Sequence, residues 1–141
     1  MSRRSLRAAA AAIIAVTAVA GCAQSRADGN SSPAACQTEK QSAGLTVRFT
    51  TDPCPAKGGT AATGQVTIHD SSGAPVTDAT VKVGYDMPSM NMRGGEHVAT
   101  RKGETYESKL VLGMTGYWIV SVQVNRGSGA PATMRFDVRA K

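Results

Sequence analysis

The chain has 141 residues, a formal net charge of +6 at neutral pH and only 4% aromatic residues. Three of the six excess charges belong to Arg3, Arg4 and Arg7, so the remainder carries +3, a charge that serves solubility more than nucleic-acid binding. No run of Lys and Arg interleaved with aromatics occurs, and nucleic acid is excluded as the expected partner.

Arg3, Arg4 and Arg7 precede an apolar run at residues 8–20, interrupted only by Thr17. That run is too short for a lasting membrane span and ends in small residues, the pattern of an export signal. Val19-Ala20-Gly21-Cys22 resembles the bacterial lipobox. It predicts a lipoprotein whose Cys22 takes the lipid, palmitate included, and becomes the mature N-terminus. Residues 1–21 are then signal peptide, and the protein is extracytoplasmic, anchored by its lipid to the bacterial cell membrane. Residues 22–35 are small and polar and read as a flexible tether. Residues 36–141 are enough for one core and not for two. With Cys22 lipidated, Cys36 and Cys54 remain as an even pair in an oxidising compartment, where a disulfide is the default. The rival, a dithiolate metal site, finds seventeen intervening residues, no CxxC and no nearby His.

Alternation of period two governs the rest. Residues 45–50, 65–69, 79–85, 96–101, 105–112, 117–124 and 132–138 read as strands, with 96–101 a polar edge strand. Gly-, Pro- and Asp-rich turns separate them, Gly58-Gly59 and Gly94-Gly95 among them, and no segment has a 3.6-residue stripe. The expected fold is all-β, a single immunoglobulin-like antiparallel β-sandwich of about seven strands. Such a fold supports many activities, so the function must come from the residues it carries.

Four of the six methionines sit in two short segments, Met87-Pro88-Ser89-Met90-Asn91-Met92 and Gly113-Met114-Thr115-Gly116. Thioether sulfur is a soft, neutral ligand that suits Cu(I), needs no deprotonation and does not suit Mg²⁺ or Ca²⁺. Pro88 ends ladder pairing. In an extended segment Met90 and Met92 share a face while Met87 has the opposite parity; Pro88 and a turn could re-aim Met87, and the spacing alone does not make the three converge. Should the Met114 turn lie at the same end of the sandwich, three or four thioethers meet there. His97 is a candidate to complete a mixed Met/His site, against a solvated residue in a polar strand. His69 reads as a strand-end residue beside Asp70. Trp118 reads as the core tryptophan, or as a ring leaning over a bound cation. Arg93 beside Met92 opposes a dense cation site unless its stem points into water. The competing account is packing: methionine fills irregular gaps and adaptable docking surfaces.

No positioned nucleophile, Gly-x-Ser-x-Gly elbow, His-Glu-x-x-His run or phosphate-cradling loop occurs, and a non-enzyme is expected.

Residues 73–124 carry Ala74-Pro75-Val76-Thr77-Asp78-Ala79-Thr80-Val81, Tyr85-Asp86-Met87-Pro88-Ser89-Met90-Asn91-Met92, Gly103-Glu104-Thr105-Tyr106 and Met114-Thr115-Gly116-Tyr117-Trp118-Ile119-Val120. This stretch resembles the YtkA-like family of small exported β-sandwich domains, related to the FixH group. The resemblance implies a non-enzymatic module for copper or heavy-metal handling, with a Cu(I) site at Met87, Met90, Met92 and Met114. It also implies a copper-handling membrane protein, an oxidase or an efflux system, as partner. A lipobox without a lasting transmembrane helix departs from a membrane-embedded FixH-like protein. Two readings therefore stand: a lipid-tethered carrier of Cu(I), or Ag(I), and a non-metal interaction module whose methionine-rich rim docks on a membrane partner.

Overall fold

The computed structural model describes residues 36–127 and 129–141. Cys22, the signal and the tether lie outside the described residues. Nine strands run in chain order: β1 (Gln37–Ser42), β2 (Leu45–Asp52), β3 (Thr60–His69), β4 (Thr80–Met87), β5 (Met92–Val98), β6 (Thr100–Lys102), β7 (Thr105–Leu112), β8 (Gly116–Asn125) and β9 (Ala132–Ala140). They form two antiparallel sheets, ordered β1-β2-β3-β7-β6 and β5-β4-β8-β9. The sandwich expected from the alternation is present, with nine strands in place of seven.

Each long strand buries every second residue, as period two requires for a sheet packed on one face. Val47 and Phe49 of β2, Val66 and Ile68 of β3, and Leu110 and Leu112 of β7 face Val81, Val83, Trp118, Val120 and Phe136 of the other sheet. Phe49 and Phe136 stack across the gap, with ring centroids 5.3 Å apart. Tyr106 is buried, its hydroxyl donating to the Val76 carbonyl at 3.1 Å and accepting from the Ala79 amide at 3.2 Å. That bond pins the segment between β3 and β4 to β7.

Two strand assignments need correction. β1 is Gln-Thr-Glu-Lys-Gln-Ser, too polar to show alternation, and neither of its faces is buried. Its pairing with β2 makes it a strand, beside the Cys36–Cys54 disulfide, whose Cα atoms lie 5.6 Å apart. The single strand expected at 96–101 is two. β5 pairs with β4, β6 pairs with β7, and the chain passes from one sheet to the other at Ala99, whose amide bonds to the Val81 carbonyl at 2.8 Å. An edge strand was expected there, and the segment supplies an edge to each sheet.

Candidate functional site

Antiparallel pairing of β4 with β8 sets the end of β4 beside the start of β8. The Met87–Met92 connection and the 113–115 turn therefore share one end of the sandwich. Pro88 stops the ladder, and Pro88–Met90 forms one 3-10 turn closed by Asn91 in the left-handed conformation (φ 49°), whose amide bonds to the Pro88 carbonyl at 3.0 Å. Asn tolerates that conformation better than most residues. The turn makes a hairpin in which Met87 and Met92 are direct cross-strand partners. The segment is not extended, and the turn at Pro88 re-aims it: Met87 and Met92 share a face, and Met90 is carried outward, 59% exposed.

Met87 is buried, and Met92 and Met114 are half-buried against the same core. Gly116 has φ +135°, a conformation open to glycine, and the Met87 methyl occupies the space a Cβ there would take. Met87 thus lies against the strand start two residues after Met114. The Met114 carbonyl accepts a hydrogen bond from the buried Trp118 indole nitrogen at 3.1 Å. From behind, the 53–59 loop supports the turn. A Cβ on Gly58 would lie 2.5 Å from the Met114 carbonyl carbon and overlap the Thr115 amide nitrogen. The Gly59 amide bonds to the Leu112 carbonyl at 2.7 Å.

His97 is not brought to the methionines. It pairs with Val83, four residues along β4 from Met87, or about 13 Å of strand. Its imidazole is exposed and stacks on Tyr85 with centroids 6.2 Å apart and planes 28° from parallel. Gly94 and Gly95 permit this, since side chains there would run into Tyr85 and His97. Trp118 is 1% exposed, and Tyr85 tilts against it at 6.2 Å. His69 ends β3 at the opposite end of the sandwich. Arg93 is exposed on the outer face opposite Asp86, its charge directed away from the shared face of Met87 and Met92.

The arrangement supplies neutral thioethers in an apolar setting. Among the described residues no group of three or more His, Cys, Asp or Glu is placed to hold a metal ion. The donor set at this end therefore suits a soft monovalent ion and offers little to a hard one. Gly58 and Gly116, read from sequence only as turn glycines or not at all, are the seats that hold Met114 and Met87. A glycine immediately before the alternating run that starts at Tyr117 was the available signal for the second.

No curated protein matches this sequence. The family model described as YtkA-like matches residues 39–123, from within β1 to near the end of β8. This is wider than the stretch whose motifs carried the resemblance, and it takes in most of the sandwich together with all four clustered methionines. With more than half its length matched, the chain belongs to the YtkA-like family.

Proposed function

We propose that this domain is an extracytoplasmic, non-enzymatic carrier of Cu(I), and by the same softness of Ag(I), held by thioethers at the methionine end. The observation that carries the reading is the direct pairing of Met87 with Met92 beneath the turn that bears Met114. Met87, Met92 and Met114 are the donors of choice, with exposed Met90 at the mouth as the first or last contact for an ion in transit. Thioethers stay unprotonated in acid, so the site keeps its donors where imidazole and thiolate lose theirs. A disulfide accords with an oxidising compartment. No helix among the described residues is long and apolar enough to cross a membrane. Attachment through lipidated Cys22, with a copper-handling membrane protein as partner, completes the proposal. His97 stands outside the site as drawn.

The test is an anaerobic Cu(I) competition titration of the full chain against Met92→Leu/Met114→Leu. Leucine keeps apolar volume and removes sulfur. The parent should bind one equivalent, and the variant, still folded, should bind at least about ten-fold more weakly, or ~1.4 kcal/mol. Equal affinity in parent and variant refutes the site.

A further inference from the structure

The end of the sandwich that carries the methionines also gathers four cations that form no ion pair among the described residues. Lys57 lies in the loop after β2, Arg93 follows Met92, and Arg139 and Lys141 stand at the end of β9; all four are exposed. The ion pairs among the described residues engage Arg48, Lys82, Lys102 and Arg126 instead. Asp86, the cross-strand partner of Arg93, and Asp137 lie in the same row of the β5-β4-β8-β9 sheet, and exposed Asp52 ends β2; none of the three forms an ion pair among the described residues, and the four cations outnumber them.

These cations are fixed to the frame of the site. Lys141 bonds through its backbone to Ala56 at 2.9 Å and to Gly58 at 3.0 Å, on either side of Lys57. The Arg139 guanidinium lies 5.1 Å from the centre of the Tyr117 ring, its cross-strand partner. Tyr117 is 63% exposed, and Met90, in the turn that packs on β8, is 59% exposed. Exposed Tyr, Met and Arg together have the composition of an interface centre.

A monovalent metal ion gains nothing from four surrounding positive charges. An approaching acidic surface gains orientation and speed, because complementary potentials steer encounter. We propose that the methionine end is a docking face for a protein partner with an acidic surface, with Met90 and Tyr117 at its apolar centre and Lys57, Arg93, Arg139 and Lys141 as its basic rim. That the partner gives or takes the ion rests on the copper reading; the docking face does not.

The test uses the metal-free full chain and a short peptide of alternating Glu and Gly, with a Gly-Ser peptide of equal length as control. The acidic peptide should bind and shift the backbone amides of Arg93, Tyr117 and Arg139. Its affinity should fall about ten-fold between ~20 mM and ~150 mM salt. K57Q/R93Q/R139Q/K141Q should lose that binding with its circular dichroism and thermal midpoint unchanged. K40Q/R48Q/K82Q/K109Q, with as many charges removed elsewhere, should retain it. The proposal is overturned by equal binding of the Gly-Ser peptide, by retention in the first variant, or by equal loss in the second. It is overturned also if phosphatidylglycerol vesicles bind through these residues while the acidic peptide does not. Peptide binding by a parent that fails the Cu(I) titration would refute the copper reading and uphold the docking face.

Discussion

Replacing Gly58 with alanine loads the contact on which the Met114 turn rests. The new methyl would sit 2.5 Å from the Met114 carbonyl carbon and 2.9 Å from its oxygen, where ordinary contact begins near 3.4 Å. All the atoms it meets are backbone, so no side chain can swing away and the Met114–Thr115 peptide must retreat by about 1 Å. Overpacking of this kind costs ~1–3 kcal/mol. The same movement strains the 3.1 Å bond from Trp118 to the Met114 carbonyl, worth another ~1 kcal/mol. The expected loss is therefore about 2–4 kcal/mol in urea unfolding, with a changed near-ultraviolet signal from Trp118, the chain's one tryptophan. Cu(I) affinity should fall with it, because Met114 moves with its peptide. Gly59→Ala is the control: nothing lies within 4 Å of a Cβ there, and its φ of +77° makes the cost one of backbone strain, ~1–2 kcal/mol, with the Trp118 signal kept. Should Gly58→Ala unfold at the parent's denaturant midpoint, the turn does not rest on the loop.

Three further outcomes follow from parts remote from the methionines or behind them. Cys36→Ala/Cys54→Ala opens a loop with a sequence separation of 18 and should cost ~3 kcal/mol; the parent under reductant should converge on the variant's unfolding midpoint. Tyr106→Phe strands the Val76 carbonyl and the Ala79 amide, and ~1–3 kcal/mol should be lost in the same assay; a neutral result would mean that the 76–79 segment is held by its own turn. The Ser72 hydroxyl, then the Ala74 and Ser72 amides, hold the Asp70 carboxyl below its ordinary 3.8. A carboxyl depressed by folding contributes stability above the unfolded value and loses it as pH falls through the folded one, here below 3.8. An NMR titration should give an Asp70 midpoint under 3.8 that rises in Ser72→Ala; an unmoved midpoint refutes the role of the hydroxyl.

The architecture was legible where burial imposes alternation. Residues 45–50, 105–112, 117–124 and 132–138 announce their strands because the core needs every second side chain. β1 was illegible because nothing in it is buried, so no hydrophobic signal is written there; pairing with β2 defines it. The break at Ala99 carries no Gly or Pro, since a strand can change sheets by twisting away from one partner towards another. At the candidate site, the residue types pointed towards soft-metal chemistry, and the two segments meet only if the Met114 turn lies at that end of the sandwich, which strand counting leaves open. What strand parity could not supply was the hairpin geometry. A 3-10 turn and a left-handed Asn91 reset the phase between Met87 and Met92; Pro88 signals that a turn can re-aim Met87, but period-two counting does not give its form. His97 shows the converse: nearness in sequence suggested membership, but an extended strand carries residues apart at about 3.3 Å each.

The disulfide and the last strand bear on how this domain can be held. Cys36 gives its carbonyl to the Thr51 amide at the end of β2, and Lys141 is clasped by Ala56 and Gly58, so both residues lie at the methionine pole. A handle attached at Lys141 would stand beside the methionine end and shade it. The opposite pole, where the Asp70–Ala74 turn lies, faces away from Cys36 and Lys141 and is the place for a label or a surface linkage. Measurements of docking made on protein immobilised through Lys141 would report the handle as much as the molecule.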